Sequence, residues 1–316
     1  MNTSLSALQG AVFGQFVGDA AALGSHWIYD LDAMAEAFPG GVQGFETPAH
    51  DHYHAGKKSG DQTHYGDAAL LLLESVAACG GRFREEDFGL RFESFFGSPA
   101  CPSYKDHATR ETLEHLKQQP ANFQNGADDD QLATVSRLAP VAVAYQKDDV
   151  STLADAIGRL TRVTQNNATA QACATASAVL LRHLLEGMPF REAFEATRKS
   201  GSVSCDTSDY FEAAHTLRHK DVTAATDHLG QSCPLPQSFP SALHAAWVHH
   251  DNFEQAILST LRAGGDSAGR ASMIGAWLGA AHGISGIPSA WVEKLSARPR
   301  IAAALDQLLV QRPGQA

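Results

Sequence analysis

Apolar residues recur at the three-and-four spacing of a helix face in segment after segment of this chain, and no sustained run alternates with a period of two. Leu5, Leu8, Val12, Phe13 and Phe16 begin the pattern. It continues in GDAALLLLESVAA from Gly66, in RFREEDFGLRFESFF with Phe88 and Phe92 inward, and in the polar segment DHATRETLEHLKQQ. DDQLATVSRLAPVAVAY reads as a helix interrupted near Pro140, and a further helix starts at about Ser151. ATAQACATASAVLLRHLLEG, ending at Gly187, is the clearest helix of all. The stretch from 200 to 240 is less regular and holds one helix, DYFEAAHTLRH. A helix from Pro240, then NFEQAILSTLRAG, SAGRASMIGAWLGAAHG and IAAALDQLLV complete an all-α chain of about a dozen helices. No internal repeat or linker divides it, so residues 1–316 are expected to form one domain.

Gly10, Gly14 and Gly18 lie on a single face of the first helix, and Asp19, Ala20, Ala21 and Ala22 follow. Each glycine weakens a helix by about 1 kcal/mol, so a row of them implies close approach of another backbone or of a ligand. Between 38 and 66, by contrast, glycines punctuate a long loop in which His50, His52, His54 and His64 cluster.

With 24 Lys and Arg against 35 Asp and Glu, the net charge of −11 disfavours nucleic acid as a partner. No stretch reaches the roughly 18–20 apolar residues of a membrane span, and the first residues lack the basic region of a signal peptide. Cys79, Cys101, Cys173, Cys205 and Cys233 form no CxxC pair, which argues against a disulfide framework or a cysteine zinc site. Cys79 and Cys173 are expected to fill core space, in a protein of the reducing cytoplasm.

Candidate chemistry lies in acids beside glycines at helix starts: Gly66-Asp67, the Asp128-Asp129-Asp130 run after Gly126, and Gly264-Gly265-Asp266. Gly18-Asp19 has the same pairing within the small-residue segment. One reading is a helix cap worth about 1 kcal/mol. The other is convergence of carboxylates on magnesium, which takes six oxygens and tolerates water among them. His64, three residues before Asp67, is a candidate acid–base group or a donor to phosphate. His50, His52 and His54 alternate in a way that suits zinc, yet no His/Cys set of known spacing completes four ligands. Asn166-Asn167 precedes the clearest helix, either to cap it or to bond a ribose or purine. Asp266 and Arg270 share a helix face, where the arginine is placed to answer the acid instead of a metal. Nucleophile-elbow, phosphate-loop, HExxH and dinucleotide-fold fingerprints are missing.

From GAVFGQFVGDAAALGSHWIYD to GGDSAGRASMIGAWLGAAHG, the chain resembles the ADP-ribosylglycohydrolase family. The THYGD and HWIYD strings place it nearest the crystallin-like branch. The resemblance implies a compact orthogonal assembly of helices. It also implies hydrolysis of the glycosidic bond between ADP-ribose and a protein side chain or small acceptor, assisted by one or two Mg2+ ions. The family's Thr/Ser-Asp-Asp-Thr segment matches Tyr65-Gly66-Asp67-Ala68, so only Asp67 remains of it. Its Gly-Gly-Asp-x-Asp-Thr segment matches Gly264 to Gly269 and retains Asp266, with Ala268 and Gly269 in place of the second Asp and the Thr. Gly18 and Asp19 match the early glycine-rich segment, and NGADDDQLATVSRLAP, with Gly126, matches the one that lines the ribose. Carried over to these positions, the resemblance implies a magnesium site at Asp67 and Asp266 with Asp128 compensating. It further implies Asp67 or Asp129 as general base and His64 as the group that protonates the leaving atom. Gly18, Asp19, Gly126, Asn166, Asn167 and Arg270 would line the ligand. A non-catalytic structural protein on the same scaffold is the alternative.

Overall fold

The computed structural model describes residues 3–310. Among them every regular element is a helix, and the β pairings are isolated bridges such as Ile28 with Gly265 and Ala127 with Gln165. The chain opens with α1 (Leu5–Ala22), α2 (Leu31–Ala37) and, after a long loop, α3 (His64–Ala78). Next come α4 (Glu85–Phe96), α5 (His107–Gln118), α6 (Ala139–Ala144), α7 (Val150–Thr164) and α8 (Ala168–Leu185). The second half holds α9 (Phe190–Arg198), α10 (Cys205–Thr216), α11 (Val222–Leu229), α12 (Leu235–Val248) and α13 (Phe253–Arg262). It closes with α14 (Ser267–His282), α15 (Ser289–Lys294) and α16 (Arg298–Val310).

The glycine face of α1 meets a helix. A Cβ on Gly10 would collide with the Gly279 carbonyl, one on Gly14 with Gly275, and one on Gly18 with Ala271. Gly275 and Gly279 meet Gly14 and Gly10 reciprocally, so α1 and α14 touch backbone to backbone along their length. Both helices are apolar nearly all round and buried nearly throughout, as a central pair in a large core must be. Around them α1 also packs on α3 and α6, and α14 on α8, α12 and α13. The Trp277 indole donates to Ser177 Oγ (3.1 Å), so the largest buried side chain of α14 reaches α8 with its polar atom satisfied.

Several boundaries differ from the sequence reading. No helix starts at Asp128-Asp129-Asp130; that stretch is irregular, with a 3-10 turn at Val135–Arg137 before α6. Asp129 turns its carboxylate back to the Gln131 N–H (2.9 Å), and Gln165 Nε2 donates to the Asp129 and Gln131 carbonyls, so these groups bond outside any helix. α3 starts at His64, because Thr63 Oγ1 accepts from the Tyr65 N–H (3.2 Å) and makes Thr63, instead of Asp67, the cap. Between 200 and 240 there are three helical segments in place of one. α11 is only eight residues long behind its Asp221 cap, and α12 starts at Leu235, ahead of Pro240. Cys173 is buried as expected, but Cys79 caps α3 half-exposed. No helix of the described residues is long and apolar enough to cross a membrane.

Candidate functional site

Asp19 stands inside α1, buried, where its carboxylate serves the start of another helix. It accepts from the Thr63 N–H (2.7 Å), the Thr63 hydroxyl and the Gly66 N–H (3.2 Å), the free donors at the head of α3. Gly66 is required there, since a Cβ would fall on the Asp19 carboxylate. With its amide turned to satisfy its neighbours, Gln62 also donates to Asp19 Oδ2 (2.9 Å). Burial pushes the Asp19 carboxyl up to about 6, against the opposing pull of the Thr63 hydrogen bonds.

Asp67, one turn into α3, meets the Lys57 ammonium at 2.5 Å, and the same ammonium donates to the Gln62 carbonyl (2.5 Å). Asp266 caps α14 through the Gly269 N–H (3.2 Å) and accepts from the Tyr65 hydroxyl (2.7 Å). Burial, with the Asp266 charge beside it, holds the Tyr65 phenol neutral and so a hydrogen-bond donor. Arg270 does not answer the Asp266 carboxylate. Its Nε donates to the Asp266 main-chain carbonyl (3.0 Å) and its other arm to the Gly264 carbonyl, which fastens the turn before α14. Burial pushes the Arg270 guanidinium down to about 10.

Asp129 is buried and accepts from Gln165 Nε2 (3.0 Å), while His107 Nδ1 lies 2.9 Å from its second oxygen. Burial raises the Asp129 carboxyl. The His107 side chain remains 55% exposed, so a buried acid orients an imidazole that solvent can reach. The sequence reading missed His107, which passes there for one residue of a polar helix; its only signal is the Asp106 cap beside it. Asp128 is exposed and accepts from Asn167 Nδ2 (2.8 Å). Asn167 caps α8 through the Ala170 N–H (3.1 Å), and Asn166 donates its N–H to the Ala127 carbonyl (2.8 Å). Gly126 presses on the Thr164–Gln165 backbone, and Gly18 on Ala271. All six residues expected to line a ligand, Asp19 and Arg270 included, thus make contacts that support the local chain.

His64 is buried, with its ring 3.9 Å from that of Tyr65 and its Nε2 3.6 Å from Asp106 Oδ2. Trp27 lies over it at 5.2 Å, and Tyr53 and Tyr104 meet Trp27 edge-on at 5.1 and 5.0 Å. Trp27 has a left-handed backbone (φ 64°), unusual for so large a residue, and its N–H donates to the Gly265 carbonyl (2.8 Å).

A magnesium pair requires several carboxylate oxygens around each ion. Here Asp67 faces an ammonium, Asp266 a phenol and a backbone N–H, and Asp128 an amide on another segment. This donor set does not fit two magnesium ions.

A family model described as ADP-ribosylglycohydrolase matches residues 1–316. Crystallin J1A of Tripedalia cystophora is 26% identical, over 94% of this chain and 94% of that protein. Crystallin J1B of the same animal is 24% identical, over 90% of each. ADP-ribosylarginine hydrolase Tri1 of Serratia proteamaculans is 33% identical over 87 residues, 28% of this chain and 24% of that one. A solved structure described as an ADP-ribosylglycohydrolase-related protein complex superposes with a TM-score of 0.70 at 21% identity, covering 97% of this chain and 98% of its own. At that identity it bears on the fold alone.

Proposed function

Since the chain belongs to the ADP-ribosylglycohydrolase family, we propose that it hydrolyses the glycosidic bond of an ADP-ribosyl or related ribosyl group carried by a small molecule or a protein. The observation that carries this reading is the His107–Asp129 pair, an accessible imidazole oriented by a buried carboxylate. Asp67, with its side chain 19% exposed beside Lys57, is the second group. In the proposed reaction water attacks C1 of the ribose as the bond to the leaving atom breaks. Asp67 takes the proton from water and His107 gives one to the leaving group. The carboxylates nearby stabilise the oxocarbenium-like transition state, and Lys57 supplies a cation for a phosphate oxygen. Asp129 acts as a positioning residue through His107, and no step passes through magnesium.

The assay is release of ADP-ribose from ADP-ribosylated arginine and from other ADP-ribosyl acceptors, in chelator and then in magnesium. Release in chelator that His107→Ala abolishes supports this reaction. Release only with magnesium would sink the metal-free route.

A second reading, a non-catalytic structural protein, draws on the Lys57–Asp67 and Tyr65–Asp266 contacts, which occupy the acids a metal would need. The crystallin relatives span nearly the whole chain. Neither release nor binding of ADP-ribose at millimolar concentration would favour that reading.

A further inference from the structure

Three histidines from separate stretches meet beneath Trp27 and Tyr104: His26 from the turn after α1, His54 from the long loop, and His64 from the start of α3. A ligating nitrogen from each lies within 4.8 Å of the other two. The residues are 0%, 2% and 3% exposed. Nε2 of His26 and both ring nitrogens of His54 and His64 have no hydrogen-bond partner. Buried imidazoles ordinarily satisfy both nitrogens, so a cluster of unpartnered ones calls for a shared occupant.

Their surroundings point to its chemistry. His26 Nδ1 lies 3.7 Å from Asp266 Oδ1, and His64 Nε2 lies 3.6 Å from Asp106 Oδ2. Metal-bound histidines commonly give their second N–H to a carboxylate, and that pairing leaves Nε2 of His26 and Nδ1 of His64 for a metal. The Ala268 N–H also meets His26 Nδ1, at 3.3 Å, a contact this tautomer exchanges for Asp266. Burial keeps His26 and His54 in the neutral form that ligates.

We propose that His26, His54 and His64 form a binding site for one zinc-class divalent ion, with Asp266 and Asp106 as its outer carboxylates. Three imidazoles with one remaining position suit zinc, whose tetrahedral nitrogens, at about 2.0–2.1 Å from the metal, stand about 3.3 Å apart. Magnesium is excluded by its demand for oxygen ligands. His52 is not a ligand, because its Nε2 is 2.6 Å from the His26 carbonyl and its Nδ1 accepts from the His54 N–H (3.1 Å). An ion here ties the long loop to α1 and α3. The proposal holds whether or not the chain is a hydrolase.

The test is titration of the chelator-stripped full chain with zinc by calorimetry, repeated with cobalt(II) and read by its visible absorption. Wild type is expected to take up one equivalent of zinc, to melt at a higher temperature with zinc, and to give the intense bands of tetrahedral cobalt. Loss of an outer partner already costs about 10–100-fold in affinity, so His54→Ala and His64→Gln are expected to weaken zinc binding more than 100-fold. His50→Ala, altering an exposed neighbour, is expected to bind as wild type. No zinc uptake by wild type overturns the proposal, even if a variant fails to fold. So do undiminished binding by folded His54→Ala, or an equal response to magnesium.

Discussion

Lys57 holds its ammonium 2.5 Å from the Asp67 carboxylate and 2.5 Å from the Gln62 carbonyl, which fastens the long loop to the first turn of α3. One lysine thereby stands at the acid on which the family resemblance would place a metal. The two side chains are 10% and 19% exposed, so the pair is largely buried while Asp67 keeps an edge open to water.

Lys57→Met is expected to lower stability by about 1–3 kcal/mol, the cost of leaving a largely buried charged acceptor unpaired. It is also expected to strengthen magnesium binding relative to wild type. Urea midpoints and magnesium calorimetry on both proteins check this; equal magnesium affinities would show that Lys57 does not exclude the ion.

The contact between α1 and α14 admits no side chain at Gly14, because a Cβ there meets the Gly275 backbone. Backbone cannot yield as a flexible side chain does, so Gly14→Ala is expected to cost about 3 kcal/mol or more. The gain in helix propensity, about 1 kcal/mol, does not offset this. A melting temperature unchanged from wild type would contradict the close contact.

Asp19 gives the fold a pH dependence of definite sign. Its carboxyl lies at about 6 in the folded chain against an ordinary 3.8, so the folded state holds the proton more tightly. Its contribution is fully present below about pH 4 and is lost as pH rises through about 6. Asp19→Asn is expected to flatten stability across that window, read from urea midpoints at about pH 4 and about pH 6. A slope identical to wild type would mean that Asp19 does not titrate there.

His107 distinguishes chemistry from support. Its side chain is 55% exposed, but its loss leaves one oxygen of the buried Asp129 without a partner, so His107→Ala is expected to lower stability by about 1–3 kcal/mol. If the proposed reaction holds, the same change lowers kcat by about 10²–10⁴-fold. Melting curves and ADP-ribose release, measured on one preparation, separate the two effects.

Helix periodicity, the caps at Asn167 and Asp266, and the row Gly10, Gly14, Gly18 depend on residues three or four apart, and so were legible in the sequence. Those local signals determined the all-α class, and the motifs at both ends of the chain pointed to the family. The Asp128–Asp130 run misled because an acid beside glycine serves a turn as well as a helix start, and the Gln165 amide that secures the turn comes from a different part of the chain. Only the tertiary structure decided what the acids touch. Asp19 meets Thr63 across 44 residues, and Tyr65 meets Asp266 across 201. The same is true of His26, His54 and His64, which share no helix. Such partners are set by which helices lie side by side, and here the glycine contact of α1 with α14 brings Asp19, the head of α3 and Asp266 into one buried place.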